Sequence, residues 1–228
     1  MSTPLKKVMV ALDYDDPEKA FRLVDQIGDL IDWFKLGPML FTQSGAEVVR
    51  YLHKKQKKIF VDLKLHDTPV VVGDTIRQIA DMGAQYATVH CLGGRAMLEA
   101  AGSACRGTHL KLIGITLLTS HQPSDSQLLG WQWSDEQIVL RLLETAIQAR
   151  LAGVMCSPQE INQVRNRCLP GFVLMTPGIR IPGKEVFRDD QQRVSSPKEA
   201  LDWGADYLII GRPITQAREP REVLNHLF

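Results

Sequence analysis

Net charge is nearly absent from this chain: 27 Lys and Arg stand against 26 Asp and Glu, leaving +1. A balance this close to zero offers no electrostatic footprint for nucleic acid or for an anionic membrane surface, so neither is expected as a partner. The basic run Lys54-Lys55-Gln56-Lys57-Lys58 is short and reads as the solvated end of a helix and its turn. Cysteine is scarce as well: Cys91, Cys105, Cys156 and Cys168 form no C-x-x-C pair. Cys91 and Cys156 close apolar runs, where a thiol packs as a small hydrophobe, and this usage points to a reducing compartment. Long hydrophobic runs are missing. No stretch approaches the ~18 apolar residues of a membrane span. The first run, Val8–Leu12, stops at Asp13 and is too short for the apolar region of a signal peptide. A cytoplasmic protein is the expectation. There is no low-complexity linker or shift in composition either, so one domain over residues 1–228 is expected.

What the chain does have is alternation. At 44% hydrophobic over 228 residues it can bury the core of one α/β barrel or one large open α/β domain. Eight short apolar runs recur: Val8–Leu12, Trp33–Leu36, Ile59–Leu65, Tyr86–His90, Leu112–Leu118, Gly153–Cys156, Phe172–Met175 and Tyr207–Ile210. Segments of helical period lie between them. Pro17 opens Glu18–Leu30, Ser134-Asp135-Glu136 starts Gln137–Leu151 with a cap and an acidic first turn, Ser157-Pro158 opens another helix, and Ser196-Pro197 opens Lys198–Trp203. Strands alternating with helices imply parallel pairing through right-handed crossovers. Eight such units in this length favour an α/β fold of the (β/α)8 TIM barrel type. An open sheet would share the alternation and differ in closure. The longest irregular segment, Ser120–Ser134 with Trp131 and Trp133, follows the fifth strand; it is a lid over the catalytic face or an ordered loop with two packed tryptophans.

Barrel chemistry sits at the C-terminal ends of the strands, and here those ends are polar. Lys35 closes the second run. Asp62, Lys64 and Asp67 fall in Val61-Asp62-Leu63-Lys64-Leu65-His66-Asp67 at the end of the third. With period two, Asp62 and Lys64 share one face and Val61, Leu63 and Leu65 the other. Charges taken out of water are costly unless paired. Alternating signs would keep each lysine protonated and each aspartate ionised, giving a proton donor and fixed negative charge in one dry site. The bland alternative is a buried ion-pair network, a weak stabiliser that apolar residues could replace. Metal binding by the aspartates is disfavoured because two lysines would compete with a divalent cation, and no histidine pair has ligand spacing. His66 and His90, at the ends of the third and fourth runs, read as structural histidines or as site residues. Asp13 is a helix cap or a site residue.

The last two strand ends suggest a phosphate site. Thr176-Pro177-Gly178-Ile179-Arg180 follows the seventh run and Gly211-Arg212-Pro213 the eighth. Barrels commonly hold phosphate with these two loops. Gly178 and Gly211 allow close backbone approach, Arg180 and Arg212 supply forked donors, and Pro213 can open a helix.

These residues together resemble the orotidine 5′-monophosphate decarboxylases of bacterial type, over essentially the full chain. The matching motifs are Ala11-Leu12-Asp13, Lys35-Leu36-Gly37, Asp62-Leu63-Lys64-Leu65-His66-Asp67-Thr68-Pro69, Leu118-Thr119-Ser120, Thr176-Pro177-Gly178-Ile179-Arg180, Asp190-Gln191 and Ile210-Gly211-Arg212-Pro213-Ile214. The resemblance implies decarboxylation of orotidine 5′-monophosphate to uridine 5′-monophosphate without cofactor or metal. It implies Lys64 as the acid that protonates C6 and Asp62 as the carboxylate facing the substrate's own. Lys35 and Asp67 would complete the alternating charges and contact ribose hydroxyls. Asp13 would bind ribose, Thr119 the pyrimidine edge, and Arg180, Gln191, Gly211 and Arg212 the 5′-phosphate. Asp67 and Thr68 would come from the partner subunit of a homodimer. The segment Ile181–Asp190 departs from the common pattern, carrying Lys184, Glu185, Phe187 and Arg188 where small residues are usual. Gln191 and Gln192 are adjacent, and Gln191 is favoured because it follows Asp190. The rivals are a magnesium-dependent sugar-phosphate member of the same superfamily, which typically carries a glutamate in place of Lys35, and a noncatalytic nucleotide-binding barrel, which would have no use for Lys64 and Asp67.

Overall fold

The alternation closes on itself. The computed structural model describes residues 4–182 and 193–228. Eight parallel strands run β1 (Val8–Ala11), β2 (Trp33–Leu36), β3 (Lys58–Leu65), β4 (Tyr86–His90), β5 (Lys111–Ile115), β6 (Gly153–Met155), β7 (Val173–Thr176) and β8 (Tyr207–Ile210). Each pairs with its neighbours in sequence, and β8 returns to β1 through Val8↔Leu208, Met9↔Ile209 and Val10↔Ile210. The fold is a (β/α)8 barrel. The helices are α1 (Pro17–Ile27), α2 (Pro38–Lys54), α3 (Pro69–Asp81), α4 (Gly94–Ala104), α5 (Pro123–Leu128), α6 (Asp135–Gln148), α7 (Ile161–Arg165), α8 (Pro197–Asp202), α9 (Arg212–Thr215) and α10 (Pro220–Asn225).

Local chemistry explains the helix starts. Proline is the first residue of α1, α2, α3, α8 and α10, where its missing N–H would have had no helical partner. Asp16 accepts from Glu18 N at 2.9 Å. Ser134 and Gln137 cap α6 reciprocally, at 3.1 and 3.3 Å. The segment after β5 is more ordered than the sequence suggests: α5 forms inside it, and His121 stacks on Trp131 and bonds Ser126 Oγ at 2.8 Å. The basic run is not a purely solvated turn. Lys57 Nζ donates to Gly28 O at 2.5 Å, Lys55 pairs with Asp25 at 2.5 Å, and Lys58 lies over the Trp33 ring. No helix among the described residues is long and apolar enough to cross a membrane.

Strand alternation makes two cores. Outward side chains such as Val10, Phe34, Ile59, Val61 and Val89 pack against the helices. Inward ones, among them Met9, Trp33, Phe60, Tyr86, Ile113 and Met175, fill the barrel. Trp33, Tyr86 and Tyr207 meet at ring separations of 5.2, 5.6 and 6.1 Å, filling the interior near the N-terminal ends of their strands. The inward positions one step further along β2, β3 and β4 are Lys35, Asp62 and Thr88, which are buried and polar. Cys91 and Cys156 are free and buried, as small hydrophobes would be; burial pushes the Cys91 thiol up to about 12 and the Cys156 thiol higher still.

Candidate active site

A cavity of about 510 Å³ opens at the C-terminal ends of the strands, a size suited to a nucleotide-sized ligand. Its lining divides by chemistry. Asp13, Lys35, Asp62 and Lys64 contribute a charged group; Ile115, Leu117, Met155 and Ile209 an apolar one; Gly178, Arg180, Gly211 and Arg212 a cationic one; Thr119 and Ser157 also line it.

The charged group is a row of alternating sign. Lys35 Nζ donates to Asp13 Oδ1 at 2.9 Å and to Oδ2 at 3.2 Å, and lies 3.4 Å from Asp62 Oδ2. Lys64 Nζ donates to that same Asp62 oxygen at 2.9 Å. The other oxygen, Oδ1, accepts from the Thr88 hydroxyl at 3.1 Å. Burial works against the charge on Asp62, but Lys35 and Lys64 outweigh it and hold the carboxyl below the usual carboxylate range. Burial likewise works against the charge on Lys35, and Asp62 and Asp13 outweigh it, raising its pKa. Two carboxylates and two ammonium groups sum to zero; the two inner members, Lys35 and Asp62, are buried, while Asp13 and Lys64 reach solvent at the ends of the row.

Backbone geometry makes the row possible. Lys64 has φ +50°, and the register of β3 on β4 shifts between Val61 and Leu65. Side-chain-bearing residues adopt this left-handed region at a cost of ~1–3 kcal/mol, and such residues concentrate at functional sites. Lys64 N donates to Thr88 Oγ1 at 2.8 Å, which holds the distortion. Period-two pleating predicts Asp62 and Lys64 on one face. They do share it, but Lys64 arrives through a distorted backbone rather than a regular strand. Gly37 has an equally local reason: a β-carbon there would collide with the Asp13 carboxylate and stand 3.1 Å from Lys35 Nζ. The Lys35-Leu36-Gly37 spacing therefore leaves room for the first ion pair of the row.

Not every expected residue joins. Asp67 and Thr68 are exposed and do not line the cavity; Asp67 Oδ1 accepts from Thr68 N at 2.6 Å. Within this chain the second carboxylate of the row is Asp13, not Asp67. The reason is distance along the strand: Asp67 lies beyond the end of β3 and leads into α3. Gln191, Gln192 and Asp190 lie outside the described residues. The strand ends also differ: β5 stops at Ile115, so Thr119 lies on the loop beyond it. His66 and His90 stack at 5.4 Å beside the site without lining it, and burial, His66 and Lys64 lower the His90 imidazole to about 4. Thr88 is the residue that sequence reading missed. Its signal was a hydroxyl at the inward parity of β4, between Tyr86 and His90.

The chain has known relatives. The family model for orotidine 5′-phosphate decarboxylase / HUMPS matches residues 6–227. The orotidine 5′-phosphate decarboxylase of Actinobacillus pleuropneumoniae serotype 5b is 41% identical over 224 residues, covering 97% of this chain and 96% of that protein. The enzyme of the same name from Haemophilus influenzae strain PittEE is 42% identical over 224 residues, with the same coverage of 97% and 96%. The crystal structure of orotidine 5′-phosphate decarboxylase from Lactobacillus acidophilus superposes with a TM-score of 0.84 at 31% identity, covering 97% of each chain. Matched along nearly its whole length by sequence and by fold, the chain belongs to the orotidine 5′-phosphate decarboxylase / HUMPS family.

Proposed function

We propose that this chain decarboxylates orotidine 5′-monophosphate to uridine 5′-monophosphate in de novo pyrimidine biosynthesis, without metal or organic cofactor, and that Lys64 delivers the proton to C6. The observation that carries the reading is the neutral, alternating row Asp13–Lys35–Asp62–Lys64, with Lys35 and Asp62 buried and Asp13 and Lys64 open to a cavity that apolar residues and two arginines also line. Loss of carbon dioxide from C6 leaves an electron pair with no conventional sink. Catalysis then has to come from charge already in place. Asp62 is held ionised by its two lysines, so it would stand against the substrate's carboxylate until carbon dioxide leaves. The Lys64 ammonium would attract the developing carbanion more than the ground state, which is the condition for acceleration. A general acid alone contributes ~10²–10⁴. Phosphate held by Arg180, Gln191, Gly211 and Arg212 would supply binding energy remote from the reacting carbon. Thr119 would read the pyrimidine edge, and Asp13 with Lys35 the ribose.

Asp67 and Thr68 enter this reading through a homodimer, each completing the partner's site. Their exposure supports it, as does the apolar start of α3 next to them, where Val70 is 72% and Val71 48% exposed. The family also contains sugar-phosphate enzymes. Those typically use magnesium and a glutamate at the position of Lys35. Here an ammonium sits between the carboxylates of Asp13 and Asp62, where a divalent cation would be repelled. The test is decarboxylation of orotidine 5′-monophosphate, followed by its ultraviolet absorbance, with a chelator present. Turnover is expected. Complete dependence on added metal would overturn the cofactor-independent reading, and no turnover by folded protein would overturn the substrate.

A further inference from the structure

A second charged unit lies behind the cavity wall. Glu160, after β6, is 6% exposed. Arg193, after β7, has a side chain 12% exposed. Arg193 Nη1 pairs with Glu160 Oε1. Burial pushes the Glu160 carboxyl up and Arg193 pulls against that. The guanidinium also reaches another loop, because Nη2 donates to the Leu118 carbonyl at 2.6 Å. Glu160 Oε2 in turn accepts from Ser157 N at 2.9 Å. Two residues past Arg193, Ser195 N donates to Gly178 O at 3.2 Å and Arg180 N donates to Ser195 O at 2.8 Å. Leu118, Ser157, Gly178 and Arg180 all line the cavity, whereas Arg193 and Glu160 do not.

One side chain therefore ties three strand ends together: the β5 and β6 walls on one side, and on the other the short backbone pairing that carries Arg180. Stability alone does not call for this arrangement, since a buried ion pair is a weak stabiliser beside apolar packing. What the planar fork adds is fixed geometry between two acceptors at once.

We infer that Arg193 is a positioning residue: it clamps the loops that form the pyrimidine end of the cavity to the backbone that carries the phosphate-end arginine, so that occupancy of one end organises the other. The inference rests on the reading that the cavity takes a nucleoside monophosphate. It requires coupling between the two ends, and coupling is measurable as reciprocal affinity.

Arg193→Lys separates charge from geometry. Lysine keeps a cation for Glu160 but has no fork to reach the Leu118 carbonyl at the same time. Uridine affinity is measured with and without saturating inorganic phosphate, for wild type and variant, together with melting temperature and with kcat and KM for orotidine 5′-monophosphate. In wild type, phosphate should tighten uridine binding at least ~fivefold. In Arg193→Lys the tightening should disappear while the melting temperature changes little, and kcat should fall along with kcat/KM. Equal coupling in variant and wild type overturns the clamp, as does no coupling in wild type. If Arg193→Lys does not fold, Glu160→Gln, which keeps an acceptor for Ser157 N, carries the same comparison; failure of both to fold assigns the pair to stability and overturns the inference. Wild-type turnover with unchanged variant coupling rejects the clamp alone. A wild-type chain that neither turns over the nucleotide nor binds uridine rejects the substrate reading, and the clamp with it.

Discussion

Replacing Lys64 with alanine removes both the proposed acid and one of the two cations that keep Asp62 ionised. Lys64 Nζ lies 2.9 Å from Asp62 Oδ2, and Lys35 Nζ lies 3.4 Å from the same oxygen. At an effective dielectric of ~20, unit charges at these separations attract by about 5–6 kcal/mol each, before desolvation is counted. Lys35 is already shared with Asp13, so the loss of Lys64 leaves Asp62 buried with half a partner. Two consequences follow. Turnover should fall by the general-acid factor of ~10²–10⁴ multiplied by ~10²–10³ for a charge lost from a preorganised site, ~10⁴–10⁷ together. The Asp62 carboxyl should also titrate at higher pH than in wild type. Its depressed folded pKa contributes stability that is complete above the unfolded value of ~3.9 and is lost as pH falls through the folded value. The variant should therefore be less stable than wild type above pH ~3.9 and lose less further stability on acidification below it, because the gap between the folded and unfolded values has narrowed. Binding of uridine 5′-monophosphate, held largely by the arginines, should weaken by less than ~10-fold, about 1.4 kcal/mol. The absorbance assay, calorimetric titration and a mass check of the variant decide the matter. Turnover within about tenfold of wild type would refute Lys64 as the acid.

Gly37→Ala should force the Asp13 carboxylate away from Lys35, costing ~1–3 kcal/mol of stability and raising KM; unchanged melting temperature and KM would show that the close approach is not needed. His90 binds its proton less readily in the folded chain, with a pKa of about 4, than in the unfolded chain, at ~6.5. Stability should therefore fall as pH drops from ~6.5 to ~4, by ~1–2 kcal/mol once its partial solvent exposure is discounted, and should be unaffected above that window. Melting curves of His90→Gln should be flatter across it, and parallel curves would remove His90 as the cause. Mixing Lys64→Ala protein with Asp67→Asn protein should restore part of the activity through one intact hybrid site; no recovery after verified subunit exchange would mean that each site is built within a single chain.

Much of the fold was legible because its signals are local. Short apolar runs separated by capped helical segments specify parallel β/α units, and Pro17, Ser134 and Ser196 act through their own turns. Element ends were less legible. The run Leu112–Leu118 continues past the last paired residue, Ile115, because apolar residues also line a cavity. The segment after β5 contains α5, whose order depends partly on His121 meeting Ser126 and Trp131 across the loop.

The residue types of the site, lysines and aspartates at the ends of some strands and Gly/Arg pairs at the ends of others, were determined by the sequence itself, because a strand's parity decides which side chains face inward. What tertiary structure decided was who meets whom. Lys35 stands between Asp13 and Asp62 because β1, β2 and β3 are neighbours in a closed sheet. Lys64 reaches Asp62 through a left-handed residue held by Thr88 from the next strand, and Arg193 bridges loops that lie far apart in the chain. Parity is a property of one strand read by itself. The Asp13–Lys35–Asp62 ion pairs, the Thr88 bridge and the Arg193 contacts belong to different strands and their loops, and they exist only once the tertiary structure brings those strands side by side.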